Sequence, residues 1–227
     1  MNIKCIVFDL DDTLWECHPV IEHAEQRFYE WLNSYYPKIT QKYSASELVE
    51  HRVKHMKAQS DNLHDLTTLR KNWMAELATE VDYDNSYVDA GFEVFWLARN
   101  EVTFFERTLE ILEDLARRYS LGVISNGNAD VNHIGVGHLF EFSLSSEQAG
   151  VSKPNKAIFD QALQLAGTKP HETVYVGDDP SRDVLGAHGA GWHAIWFNPR
   201  LQAWPGGRTP TAVIRHLSSL EEKIKGL

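Results

Sequence analysis

Asp9-Leu10-Asp11-Asp12-Thr13 sets two carboxylates at i and i+2 directly after the apolar run Cys5-Ile6-Val7-Phe8, with a hydroxyl close behind. The run reads as a buried strand. Its carboxylates therefore emerge at the strand's C-terminal end, where open α/β sheets hold their ligands. Carboxylates are costly to bury unless a cation or hydrogen bonds compensate them. An acidic cluster in that position suits a hard cation such as Mg²⁺ and phosphate chemistry. Taken alone, the segment fits a turn or a helix cap as well.

Three further segments carry groups of the same kind. Leu121-Gly122-Val123-Ile124 runs into Ser125-Asn126-Gly127-Asn128, an apolar stretch ending in a hydroxyl and a Gly/Asn turn. Gly150-Val151-Ser152-Lys153-Pro154 places a lysine in a loop before a helix. Thr173-Val174-Tyr175-Val176-Gly177 ends in Asp178 and Asp179, with Asp183 shortly beyond. Each has a plain structural explanation: Ser125 closing a turn, Lys153 solvated at the surface, Asp178 and Asp179 capping the next helix. In this order and spacing, however, the four segments resemble the motifs of the haloacid dehalogenase-like hydrolase superfamily. They span Asp9 to Asp183, nearly the whole chain.

The resemblance implies a Mg²⁺-dependent phosphatase and a task for each residue. Asp9 is then the nucleophile that forms an aspartyl-phosphate. Asp11 protonates the leaving alcohol and later deprotonates the attacking water. Mg²⁺ is held by Asp9, the backbone carbonyl of Asp11, and Asp178. Thr13, Asp179 and Asp183 support that set, the last two also as alternative ligands. Ser125 and the backbone N–H of Asn126 hold phosphate oxygens, and Lys153 offsets the charge of phosphate and Asp9. The dehalogenases of the superfamily cleave a carbon–halogen bond without a leaving-group acid and lack the second Asp of D-x-D. This chain has it as Asp11, which favours a phosphatase.

Phe8-Asp9-Leu10-Asp11-Asp12-Thr13-Leu14, Ser125-Asn126-Gly127-Asn128-Ala129, Ser152-Lys153-Pro154 and Val176-Gly177-Asp178-Asp179 are together similar to a narrower group. These are the bacterial phosphatases for flavin mononucleotide and for 5-amino-6-(5-phospho-D-ribitylamino)uracil, which implies riboflavin biosynthesis. A phosphatase for sugar phosphates or phosphoglycolate, or a phosphomutase, shares the same core motifs. From another class comes a receiver-like module phosphorylated on Asp without turnover. Its acidic pair precedes the phosphorylated Asp, the reverse of the order here. A binding-only homologue sits poorly with the full set Asp9, Asp11, Ser125, Lys153 and Asp178.

The elements that must position these groups fall into two regimes. Residues 16–100 read as helical. Ile21, Ala24, Phe28, Trp31, Leu32 and Tyr35 recur at helical spacing, with Pro37 ending the run. Ser44 and Glu47 fit a capping box. Leu66, Leu69, Trp73 and Leu77 mark a third helix, and Val88, Phe92 and Phe95 a fourth. From about 101 onward helix and strand alternate, with strands at 121–125, 173–177 and 193–197 and an edge strand at Val213-Ile214. Ser218 with Glu221 is expected to cap a final helix. The predicted fold is α/β: a Rossmann-like parallel sheet with helices on both faces. Residues 1–15 and 101–227 form the core, and 16–100 an inserted helical cap. The resemblance implies that the cap closes over the site and selects the leaving group. Trp15 and His18, which directly follow the first motif, are the candidates for contacting it. Most aromatic residues of the insertion sit at core-facing spacings.

Composition excludes some alternatives. Of 227 residues, 43% are apolar and 24% charged, ordinary for a globular protein. The net charge of −10 argues against nonspecific nucleic-acid binding, which needs a basic surface. It leaves room for a small anionic substrate beside a local metal and lysine. Two cysteines, Cys5 and Cys17, make no disulfide framework. His51 and His55 read as a helix face rather than metal ligands. The start Met1-Asn2-Ile3-Lys4 runs straight into a strand without the features of a signal peptide, and no apolar run is long enough to span a membrane. The expected location is the cytoplasm.

Overall fold

A computed structural model of the chain describes residues 3–59 and 64–227. Met1 and Asn2 of the expected core lie outside the described residues. The chain divides into two compact units, Met1–Glu16 with Thr103–Leu227, and Cys17–Val102.

After strand β1 (Cys5–Phe8), the regular elements among the described residues of the second unit are all helices. It comprises α1 (Cys17–Tyr35), α2 (Pro37–Lys42), α3 (Ala45–Ala58), α4 (Leu66–Glu80) and α5 (Val88–Arg99). Pro37 does more than end α1. It occupies the first turn of α2, where its missing N–H costs nothing. Ser44 caps α3 in a reciprocal box: its own N–H donates to Glu47 at 2.8 Å, and its hydroxyl accepts from the Glu47 N–H. The core of this unit holds Phe28, Leu32, Trp73, Leu77, Tyr87 and Phe95. Tyr36 lies against Tyr87 with ring centroids 4.9 Å apart, and Trp31 against Tyr36 at 5.0 Å, so packing accounts for these rings.

The first unit continues with α6 (Thr108–Ala116), β2 (Ser120–Ser125), α7 (Val131–Ile134), β3 (Phe142–Ser145), α8 (Ser146–Ala149) and α9 (Lys156–Ala166). Then follow β4 (Thr173–Gly177), a π-helical turn (Pro180–Leu185), α10 (Gly186–Gly189), β5 (His193–Phe197), β6 (Ala212–Ile214) and α11 (Leu220–Lys225). The six strands form one parallel sheet in the order β3-β2-β1-β4-β5-β6. The inner strands β1 and β4 are buried along their whole length, as expected of a parallel sheet covered on both faces. Strand β3 was not foreseen: Phe-Ser-Leu-Ser is four residues long and half-buried at an edge, too short for its alternation to stand out. The expected cap at Ser218 and Glu221 does not form. The final helix begins at Leu220 after a 3-10 turn, and Glu221 pairs instead with Arg118 and Lys225. No helix among the described residues is long and apolar enough to cross a membrane.

Strand order reverses at β1. Consecutive strands run outward on one side of it, and β4 lies on the other. Such a switch point opens a crevice at the C-terminal ends of the strands. Phe8 pairs in register with Val123 on β2 and Val176 on β4. The residues that follow these three strands therefore emerge side by side.

Candidate active site

Three carboxylates meet in that crevice. Asp9 follows β1, Asp178 follows β4, and Asp183 comes from the turn after Asp178; one oxygen of each lies within 4.8 Å of the others. Gly177 makes this approach possible, since a Cβ there would sit 2.3 Å from Asp183 Oδ2. Lys153 enters from the loop before α9, and its side chain is only 2% exposed. Its ammonium donates to Asp9 Oδ1 at 2.7 Å, to Asp183 Oδ1 at 2.8 Å and to the Tyr175 hydroxyl at 2.7 Å, which uses all three of its protons. Tyr175 in turn donates to the Ile124 carbonyl at 2.9 Å and so ties β4 to β2.

One lysine does not neutralise three carboxylates. Burial raises the Asp9 pKa to about 7, with Lys153 opposing the shift and Asp183 adding to it. Burial, then repulsion from Asp183 and Asp9, raises Asp178 to about 8. Burial alone would lower the Lys153 pKa, but Asp183 and Asp9 outweigh it and the net shift is upward. The donor set is all oxygen, buried at Asp9 and Asp183 and half-buried at Asp178, and short of positive charge, which suits a hard divalent cation. The buried Thr13 hydroxyl, behind the first motif, has no partner among the described residues.

The remaining residues separate by role. Ser125 is buried at the end of β2, and its hydroxyl accepts from the Gly127 N–H at 3.0 Å. The Asn126 side chain accepts from the Lys153 N–H at 2.8 Å and donates to the Lys153 carbonyl at 3.0 Å, clasping the lysine loop. Asp179 stands apart from the trio and caps the following turn, accepting from the N–H groups of Ser181 and Arg182 at 2.8 and 2.7 Å. These bonds outweigh its burial and hold its pKa below the usual carboxylate range. Asp11 is also outside the trio, and its Oδ1 accepts from the Trp15 indole N–H at 2.9 Å. Trp15 is fully buried, so it has no exposed face on which a ligand ring could stack. His18 lies on α1, exposed, and pairs with Glu22.

The site thus contains one group that the sequence reading did not single out, Tyr175. The only signal for Tyr175 was a polar tip inside an apolar strand. A second three-ligand cluster, His51 with Glu76 and Glu80, occurs in the helical unit. His51 Nδ1 accepts from the Trp73 indole at 3.0 Å, so the proton sits on Nε2, 3.1 Å from Glu80. A protonated nitrogen offers no lone pair to a metal. Beside the trio, the core has a cavity of about 260 Å³ lined by Asp12, Asp178, Phe105, Phe197 and Arg200, with Arg200 paired to Asp12 at 3.1 Å.

A model of the haloacid dehalogenase-like hydrolases matches residues 3–191. The chain is 29% identical over 231 aligned residues to the 5-amino-6-(5-phospho-D-ribitylamino)uracil phosphatase YigB of Escherichia coli, covering 98% of this chain and 97% of that one. Glyceraldehyde 3-phosphate phosphatase of Pyrococcus furiosus is 26% identical over 86% of this chain and 81% of its own. A crystal structure described as 2-haloacid dehalogenase from Pseudomonas syringae pv. Tomato superposes with a TM-score of 0.91 at 38% identity, covering 99% of both chains.

Proposed function

Because the chain belongs to the haloacid dehalogenase-like hydrolases, we propose that it is a Mg²⁺-dependent phosphatase of small phosphate monoesters, working through an aspartyl-phosphate. The observation that carries this reading is the trio of Asp9, Asp178 and Asp183 around one lysine, an anionic, all-oxygen cradle at the switch point of the sheet. Asp9, Asp178 and the carbonyl of Asp11 would hold the cation, with Asp183 beside them. Bound Mg²⁺ supplies the positive charge that lets one anion approach another.

The chain's own residues perform the transfer. Asp9 attacks phosphorus, forming a P–O bond as the bond to the leaving alkoxide breaks. Asp11 gives that alkoxide its proton. In the second half, Asp11 takes a proton from water as the water oxygen attacks phosphorus, and Asp9 leaves as a carboxylate. Lys153 stays on Asp9 throughout and stabilises the carboxylate when it is free. Ser125 and the Asn126 N–H hold the equatorial oxygens. The helical unit serves as the cap that selects the leaving group.

The relative YigB supports 5-amino-6-(5-phospho-D-ribitylamino)uracil as substrate, and the resemblance of the motifs adds flavin mononucleotide. The glyceraldehyde 3-phosphate phosphatase relatives favour a second reading, a sugar-phosphate enzyme. A dehalogenase, named for the similar Pseudomonas structure, has no use for Asp11, because a halide leaves without a proton. A turnover screen decides among them. Phosphate release from the flavin and ribitylamino-uracil esters, exceeding that from glyceraldehyde 3-phosphate and phosphoglycolate, is expected. Halide release from 2-haloacids with no phosphate release from any ester overturns the phosphatase reading.

A further inference from the structure

Trp15 follows Asp11 by four residues and is held from several sides within the core unit. Isolated backbone bridges join Asp11 to Trp15 and Trp15 to Phe104. The next residue, Phe105, donates its N–H to the Leu14 carbonyl at 2.9 Å. The indole meets the Phe104 ring edge-on, with centroids 5.5 Å apart and planes at 80°. A fully buried indole clamped in this way cannot swing. Its N–H therefore points in one direction, at Asp11 Oδ1, 2.9 Å away.

A carboxylate's terminal torsion is broad and roughly two-fold, so an unrestrained aspartate presents either oxygen over a range of angles. Proton transfer in both halves of the reaction needs one oxygen at one angle. We infer that Trp15 is a positioning residue for Asp11. The indole N–H holds Oδ1 and fixes the plane of the carboxylate that exchanges the proton with the leaving group and then with water. Trp15 touches no reacting atom itself. The inference rests on the phosphatase reading, with Asp11 as the acid–base group.

Trp15→Phe removes the N–H and keeps most of the ring. The test uses the full chain with Mg²⁺ and two esters, p-nitrophenyl phosphate, whose leaving group needs little protonation, and an alkyl phosphate, whose leaving group needs it fully. Trp15→Phe is expected to lower kcat on the alkyl ester by roughly 10- to 100-fold, the span of a hydrogen bond to a charged group. KM and turnover of the aryl ester should move less than about threefold. In an Asp11→Ala background, Trp15→Phe should have no further effect, as for two residues acting as one unit. Equal losses on both esters, or full additivity in the double variant, overturn the inference. If Trp15→Phe does not fold, the indole N–H resonance of the otherwise wild-type chain provides the readout. It should lose its downfield shift on Asp11→Ala and keep it on Asp9→Asn, and a resonance indifferent to Asp11→Ala overturns the inference. Wild-type protein that releases phosphate from neither ester refutes the phosphatase reading instead, and the indole resonance still tests the clamp.

Discussion

Lys153→Met isolates the electrostatics of the site. Methionine keeps the length of the stem and removes the cation. Asp9, Asp183 and Tyr175 then lose donors at 2.7, 2.8 and 2.7 Å, in a setting where the lysine and Asp183 side chains are 2% and 1% exposed. Removing one partner of a buried ion pair costs about 3–5 kcal/mol, because the other charge is left uncompensated. For a chain of this size each kcal/mol moves Tm by roughly 2–4 °C, so a fall of about 6–20 °C is expected. The carboxylates can relieve part of the strain by protonating. Asp9 already titrates near 7 with the lysine in place, so the loss should be largest at pH 8 and smaller at pH 5. The assay is calorimetry in chelator at both pH values. Adding Asp183→Asn removes one buried anion and should recover part of the loss. Mg²⁺ should do the same by binding the folded state, worth about 2.7 kcal/mol at a hundredfold excess over Kd. An unchanged Tm at pH 8, or a double variant less stable than Lys153→Met, would show that Lys153 does not balance these carboxylates.

Other outcomes follow from the same geometry. Activity should vanish in chelator, return with Mg²⁺ and be inhibited by Ca²⁺, whose looser coordination misaligns Asp9; full turnover in excess chelator contradicts this. Asp9→Asn should abolish acid-stable labelling by a ³²P ester, while Asp11→Asn should slow alkyl esters by ~10²–10⁴-fold and aryl esters much less. In the metal-free protein, Asp9 and Asp178 titrate near 7 and 8, above ordinary carboxylates. The folded state then binds more protons than the unfolded one, so stability should fall as pH rises from about 4 to about 8. Mg²⁺ should flatten that slope in denaturant titrations, and a metal-independent slope counts against the trio as its ligands. Glu80 behaves oppositely: hydrogen bonds from Lys42 at 2.7 Å and Tyr43 at 2.5 Å lower its pKa to about 2. That contribution is present above about pH 4.5 and lost as pH falls towards 2. Glu80→Gln should cost only ~0.2–1 kcal/mol at pH 7 for so exposed a group, and nothing near pH 2.

The architecture was legible in the sequence because long-range periodicity reports it. A four-residue apolar run at the start, helical spacing through the insertion, and alternation afterwards already imply a parallel sheet with a helical insertion. What periodicity does not report is register. Asp9, Lys153, Asp178 and Asp183 carry visible chemistry and sit at visible strand ends or loops, so their types and order mark them. Tyr175 is hidden, because only the pairing of Phe8 with Val176 and Val123 puts its hydroxyl between the lysine and the Ile124 carbonyl. Asp179 illustrates the converse. Its spacing suits a ligand as well as that of Asp183, yet the turn starting at Pro180 folds its carboxylate back onto the N–H groups of Ser181 and Arg182 and sends Asp183 inward.

Trp15 shows most clearly how position in sequence and position in chemistry diverge. Adjacent to the first motif and aromatic, it reads as a ring for a planar substrate. The bridges to Asp11 and Phe104 instead turn the ring inward and leave a single polar atom, the indole N–H, directed at the motif. With the ring buried, its indole N–H is the atom of Trp15 turned towards the motif. Arg200, 60% exposed, pairs with Asp12 in the cavity next to Asp178. Under the phosphatase reading proposed above, the motif residues would hold the phosphoryl group that every candidate substrate shares, and residues outside them would have to recognise what differs.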